Sequence, residues 1–207
     1  RQLGGTPVML AAQDLQLGRG ETVADTARVL SRYLDGVMIR ALSHDTVAEF
    51  AAEGSIPVIN GLTNLSHPCQ IMADLQTIQA HLGALEHQIV AWFGDGNNVA
   101  NSWIEAAALF GFELRIAGPE AYRPPAHLVA WARAEGANIS FVDKAEIAAK
   151  DATVLVKDVW ISMGDDEGNR LQDMAPFQVT ETLMSLAATD AIFMHFLPAL
   201  RGEEVTA

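Results

Sequence analysis

The sequence predicts an α/β protein built on parallel sheets. Three observations carry that expectation. Short apolar runs rich in β-branched residues alternate with stretches of helical periodicity. The runs are close to continuously apolar, as strands covered on both faces must be. Polar or conformationally special residues collect just after the runs, at the carboxyl ends where open parallel sheets bind ligands.

Taken in order, the strand-like runs are PVMLA (7–11), GVMIR (36–40), IPVIN (56–60), QIVAWF (88–93), ELRIAG (113–118), NISFV (138–142), TVLVK (153–157) and AIFMH (191–195). Each is short and apolar, the pattern of a buried strand. Helical periodicity occupies the intervals near 22–33, 45–53, 70–82, 99–110, 125–135, 144–150 and 178–187. Thr22 is placed to cap the first of these, with Asp25 three residues on, shorter than the Glu of a capping box. The longest polar interruption, INGLTNLSHPCQ (59–70), reads as a hinge, and the expected division is into units 1–84 and 85–207.

Composition narrows the function classes. Of 207 residues, 50% are hydrophobic and 19% charged, enough to bury a core. The net charge of −13, with no basic cluster to offset it, argues against nucleic acid or an anionic membrane surface as partner. A small anionic ligand stays compatible, because a few cations and helix N-termini can hold one. No apolar run reaches the roughly 18–20 residues of a membrane span. The single cysteine, Cys69, allows no intramolecular disulfide, and a cytoplasmic location is expected. Both ends read as cuts in a longer chain: RQLGGTPVML has neither initiator Met nor signal-peptide core, and RGEEVTA stops without a closing helix.

The strand ends hold the candidate chemistry. Arg40 closes GVMIR; His67 and Gln70 follow IPVIN; Gly94 to Asn101 follow QIVAWF; Asp158, Ser162 and Met163 follow TVLVK; His195 to Pro198 close AIFM. FGDGNNVANSW (93–103) begins like a dinucleotide turn, but Val99 stands where the third small residue belongs, and Glu120 falls after Gly118-Pro119 rather than at a strand tip. The nucleotide reading is set aside. Asn97 and Asn98 read as helix caps, while Asn101, one turn in, suits a substrate-facing amide. HPCQ (67–70) sets an imidazole and a carboxamide at a helix start, both able to donate to the oxygen of an acyl or carbamoyl group. Cys69 reads as a small buried residue, and metal binding by His67 and Cys69 is disfavoured by the stiff Pro68 between them. Asp158 suits an ammonium group. Phe193 and Trp160 read as core, and DDEG (165–168) as a solvated loop. Acyl-enzyme hydrolase, P-loop and paired-cysteine zinc signatures do not occur.

Together TVADTARVLSRYLDGVMIR, IPVINGLTNLSHPCQIMADLQT, FGDGNNVANSW, DVWISMG and FMHFLPA resemble the ornithine carbamoyltransferase family along essentially the whole chain. The sister aspartate carbamoyltransferases share His-Pro-x-Gln but lack the Ser-Met-Gly loop. The resemblance implies two parallel-sheet α/β domains of the aspartate/ornithine carbamoyltransferase fold, the first incomplete. Residues 1–84 would be the later part of a carbamoyl-phosphate-binding domain with its linking helix, and 85–207 an ornithine-binding domain without its last helix. It implies transfer of a carbamoyl group from carbamoyl phosphate to the δ-amino group of L-ornithine, giving citrulline and phosphate in arginine metabolism, with no metal or organic cofactor.

By position in the family motifs, Arg40, His67 and Gln70 would contact carbamoyl phosphate, and Arg40, His67 and Asp158 would carry the catalysis. Gln16, in LQLG, would reach a neighbouring subunit's carbamoyl phosphate, implying a homotrimer or a multiple of trimers. Asn101, Asp158, Ser162 and Met163 would hold ornithine, with the backbone of Phe196 and Leu197 accepting from the reacting nitrogens. Three departures stand out. The family's phosphate-binding Ser-Thr-Arg-Thr-Arg is absent, as is its C-terminal segment, and Phe196 replaces the Cys of His-Cys-Leu-Pro. Two alternatives remain open: a non-catalytic paralogue whose amine site Phe196 blocks, and a carbamoyltransferase for a modified ornithine or another diamine.

Overall fold

A computed structural model describes residues 2–17, 20–161 and 168–206. The chain divides into two compact units, Arg1–Asn64 and Leu65–Ala207. In the second, the helix after the hinge buries Ile71, Leu75 and Ile78 in the main apolar cluster.

In the first unit, strands β1 (Val37–Arg40) and β2 (Val58–Leu62) pair in parallel, and helices α1 (Val23–Leu30) and α2 (His44–Glu53) pack on each other. Thr22 caps α1 as expected, its hydroxyl accepting from the Asp25 N–H at 3.0 Å. Ala27 on α1 and Val47 and Phe50 on α2 are buried. The segment 7–11, expected as a strand, is irregular, and Met9 is 91% exposed. A strand exists through its ladder, and among the described residues β1 and β2 pair only with each other.

The second unit is a sheet of five parallel strands in the order β5-β4-β3-β6-β7. They are β3 (Ile89–Phe93), β4 (Glu113–Ala117), β5 (Ile139–Val142), β6 (Val154–Lys157) and β7 (Ile192–His195). Helices α3 (Pro68–Leu82), α4 (Asn98–Phe110), α5 (Ala126–Ala134), α6 (Ala145–Ala149), α7 (Arg170–Met174) and α8 (Glu181–Met184) complete it. Alternation along the strands splits the core in two. Val90, Trp92, Val154 and Val156 pack with Trp103 and Ile104 of α4 and residues of α3 and α5, whereas Ala91, Phe93 and Leu155 pack with α6, Phe177 and Leu183. The helix expected over 178–187 contracts to α8, because Val179 is drawn into a bridge with Val205 and Thr180 caps the helix behind it. Helix α7 has no counterpart in the sequence reading. Phe193, expected in the core, is 36% exposed because β7 is an edge strand. Among the described residues no helix is long and apolar enough to cross a membrane.

The tips of β3 and β4 meet so closely that a Cβ on Gly118 would stand 2.0 Å from the Gly94 carbonyl oxygen. Gly118→Ala must push two strand ends apart and is expected to destabilise the protein by about 1–3 kcal/mol in urea unfolding. Gly5→Ala, where a Cβ meets nothing within 4 Å, is expected to change stability by less than about 0.5 kcal/mol. Equal midpoints for the two variants would refute this account of the turn.

Candidate active site

Each unit presents candidate residues at the carboxyl ends of its strands. In the first, the register slips between Ile39 and Arg40, so that Arg40 pairs with Leu62, and the guanidinium-bearing residue is exposed at the strand tip. The loops beyond β1 and β2 are tied together: the Asn64 N–H donates to the Leu42 carbonyl at 2.9 Å, and the His44 N–H to Asn64 Oδ1 at 3.2 Å. His44 Nδ1 lies 3.1 Å from the hydroxyl of the fully buried Thr63. Gln16 is exposed on the segment after the short turn Ala12–Asp14.

In the second unit, β4 and β5 lie on one side of β3 and β6 and β7 on the other, so the loops leaving β3 and β6 diverge. Such a reversal of strand order opens a crevice at the sheet's carboxyl edge. Asn97 and Asp158 meet across it. Asn97 caps α4, as its sequence context suggested, Oδ1 accepting from the Val99 and Ala100 N–H groups at 2.9 and 3.0 Å. Its Nδ2 donates to Asp158 Oδ2 at 3.0 Å, a contact the sequence did not reveal. Asp158 Oδ1 accepts from the Val159 N–H at 2.8 Å. Burial lifts the Asp158 pKa to about 6, against the lowering effect of those two hydrogen bonds. At neutral pH the crevice therefore holds a poorly hydrated carboxylate, a suitable partner for a cation.

Helix α4 also holds the HPCQ segment. Ser102 Oγ accepts from the His67 N–H at 2.8 Å, and Asn101 Nδ2 donates to the Leu65 carbonyl at 2.9 Å. Asn101, expected to face substrate, is 4% exposed, and its amide nitrogen braces the loop that carries His67. Gln70 is half-buried, and its Nε2 donates to Asp74 Oδ1 at 2.9 Å. Burial raises the Asp74 pKa to about 6. Cys69, expected to be buried, is exposed, because α3 turns its first-turn position outward. Ser162 and Met163 lie outside the described residues, as does most of the acidic stretch DDEG.

At the end of β7, His195 Nδ1 accepts from the Leu197 N–H at 2.9 Å, leaving Nε2 to carry the ring proton, 3.3 Å from Glu204 Oε1. Burial lowers the His195 pKa, opposed by Glu204. Leu197 adopts φ 56°, the left-handed region that a leucine rarely occupies, and such conformations concentrate at functional sites. The Phe196 ring stacks on Trp92, with centroids 6.3 Å apart and planes 23° from parallel.

The least expected residue is Lys157. In the sequence it only ends an apolar strand, yet it is 0% exposed and donates to the Phe93 carbonyl at 2.7 Å. Its ammonium lies 5.3 Å from the centre of the Trp160 ring, in cation–π range. Asp95, ion-paired with Arg170, and the fully buried Glu204 complete a set of enclosed charges at this edge. Burial pulls Lys157 down to about 7, with Asp95, Glu204 and Asp158 opposing. Only the position of Lys157 at the end of an apolar strand hinted at such a role in the sequence.

Known proteins give this geometry a context. The family model described as "Aspartate/ornithine carbamoyltransferase, carbamoyl-P binding domain" matches residues 1–80, and "Aspartate/ornithine carbamoyltransferase, Asp/Orn binding domain" matches 86–207. The chain is 55% identical over 207 residues to an ornithine carbamoyltransferase of Bradyrhizobium diazoefficiens, covering 100% of this chain and 67% of that relative. A Methanoculleus marisnigri ornithine carbamoyltransferase is 48% identical over 206 residues, covering 99% and 67%. The solved structure of ornithine carbamoyltransferase from Pyrococcus furiosus superposes with a TM-score of 0.92 at 46% identity, covering 99% of this chain and 67% of that one. The chain thus spans about two thirds of the length of the relatives it matches.

Lys157 predicts a pH signature. The folded protein binds this proton more weakly than the unfolded chain, so between about 7 and the ordinary 10.5 the folded state carries fewer protons and stability rises with pH. Lys157→Met removes that contribution. Urea midpoints measured from pH 7 to pH 10 are expected to move in favour of the native protein relative to the variant, and a constant difference across the window would contradict the assignment.

Proposed function

The chain belongs to the aspartate/ornithine carbamoyltransferase family, a family of transferases, and from that premise we propose that it transfers the carbamoyl group of carbamoyl phosphate to the δ-amino group of L-ornithine. The observation that carries the choice of acceptor is the Asp158 carboxylate, enclosed at the strand-order reversal and oriented by Asn97. A partly desolvated, fixed anion attracts the ammonium group of a diamino acid more strongly than a fully solvated loop acid does.

In this reading Arg40 and His67 donate to the carbamoyl oxygen, stabilising the negative charge that develops there when the amine attacks. Gln70 binds the carbamoyl group, and Gln16 reaches the same ligand in a neighbouring subunit of a homotrimer. Asp158, Ser162 and Met163 hold the amino-acid end of ornithine, joined by Oδ1 of Asn101, the amide atom not committed to the Leu65 carbonyl. The δ-nitrogen attacks as the neutral amine, forming the new C–N bond; the C–O bond to phosphate then breaks, and the amine proton is lost. Backbone carbonyls at Phe196 and Leu197 accept from the reacting nitrogens, and the left-handed Leu197 supports that role. Holding both substrates in register supplies much of the remaining acceleration. We place the reaction in arginine metabolism, in the cytoplasm.

Phe196 is the feature that challenges catalysis. Its stacking on Trp92 gives the ring a home in the apolar layer beneath the sheet edge, which supports an open amine site over a blocked, non-catalytic one. Phe196→Cys in the protein expressed from its own gene is accordingly expected to change the ornithine KM by less than about 3-fold, that is by under 1 kcal/mol. A variant that acquires citrulline-forming activity absent from the native protein would favour the blocked paralogue instead. Residues 1–207 on their own lack the Ser-Thr-Arg-Thr-Arg phosphate cradle, whose charge-assisted hydrogen bonds are worth about 1.5–3 kcal/mol each. They are expected to form little or no citrulline, and turnover at the rate of the native protein would overturn that expectation.

A further inference from the structure

Helix α3 buries a carboxylate that the proposed mechanism does not use. Asp74 is 6% exposed and shares the helix's inner surface with Ile71, Leu75 and Ile78. Its Oδ1 accepts from Gln70 Nε2 at 2.9 Å, while Oδ2 is fully enclosed with no hydrogen-bond partner among the described residues. An exposed Gln–Asp pair four residues apart would lend the helix a few tenths of a kcal/mol with both groups hydrated. Here the carboxylate gives up its hydration for one hydrogen bond, and an apolar side chain would fill the same position without that penalty. What Asp74 does in return is hold one end of the Gln70 amide.

We propose that Asp74 is a positioning residue for the carbamoyl-donor site: by accepting from Nε2 of Gln70 it turns that amide's Oε1 outward as an acceptor, so that the donor is selected through the N–H groups of its carbamoyl amide. The proposal rests on Gln70 contacting the donor, as assigned above. The chemistry is directional. A carboxylate only accepts, so the Gln70 nitrogen must face it, and the oxygen on the other side of the amide plane is left for a ligand. Without Asp74 the amide can rotate and offer donor or acceptor alike, and recognition of an N–H by that position is lost.

Two donor-site ligands of nearly equal shape test this: phosphonoacetamide, which keeps the amide, and acetonylphosphonate, which has a methyl group in its place. Calorimetry on the protein expressed from its own gene is expected to give at least about 10-fold tighter binding of the amide compound. In Asp74→Ala that preference is expected to fall below about 3-fold, with the affinity for acetonylphosphonate and for inorganic phosphate unchanged. Asp74→Asn, whose Oδ1 still accepts from Gln70, is expected to restore most of it. Asp74→Ala combined with Gln70→Ala is expected to bind as Gln70→Ala alone. Asp74→Leu, similar in shape and without an acceptor, replaces the alanine variant if the latter does not fold. Native-like discrimination in either variant, or equal losses for both compounds, overturns the positioning role and leaves the functional reading standing. Failure of the native protein to bind phosphonoacetamide at all would instead remove the functional reading on which the proposal rests.

Discussion

Because β4 and β5 stack on one side of β3 while β6 and β7 stack on the other, the chain leaves β3 and β6 in diverging directions and a crevice opens between their carboxyl ends. The hydrogen bond from Asn97 to Asp158 spans that gap, joining the first residues after β3 to the first residue after β6. Much of the site follows from it. Asn97 can reach Asp158 because it also caps α4, and α4 in turn supplies Ser102 and Asn101 to hold the loop that presents His67. One helix start therefore orients a carboxylate, an imidazole-bearing loop and the entry to α3. The two glycines of the turn serve packing rather than a nucleotide: a Cβ on Gly96 would collide with Pro124, as one on Gly118 would with Gly94.

The same edge concentrates charge where water is scarce. Lys157, Asp95, Glu204 and Arg170 lie within or just behind the strand ends, joined by the Arg170–Asp95 pair, the approach of His195 to Glu204 and the lysine's bond to Phe93. Burying such groups is unfavourable unless each has a partner. Lys157 bears the penalty most visibly, pushed down to about 7 in spite of three nearby carboxylates. The arrangement links the tips of β3, β6 and β7, since Phe93, Lys157 and His195 stand in register across them. The left-handed Leu197 follows directly, fixed by its N–H to His195. The backbone that presents Phe196 and Leu197 is thus set by a charged layer beneath it.

Similarity to ornithine carbamoyltransferases extends through both units, while some side chains at the strand ends take roles that motif reading alone did not supply. Asn101 braces a loop, Cys69 faces outward, and the ring of Phe196 lies on Trp92. Position within a motif states which residues gather at an edge. Which atom each one offers there depends on neighbours contributed by other elements.

The alternation of apolar runs and helical periodicity determined the α/β class, the parallel sheet and most strand positions, because each reflects a repeat within a few residues of chain. The same local logic sufficed for the caps at Thr22 and Asn97, and it brought His67, Gln70 and Asp158 to strand or helix ends. It did not suffice for segment 7–11, where apolar composition without a neighbouring ladder makes no strand, or for the contraction of the helix at 181–184 by a bridge from Val205. It gave only a strand-end position for Lys157 and nothing for Glu204 and Asp74, whose burial arises only when residues distant in the chain close over them. Periodicity is a property of adjacent residues, so the elements can be read along the chain. Desolvation and hydrogen-bond partners are properties of the packed whole, so the choice of polar groups that form the site emerges with the packing.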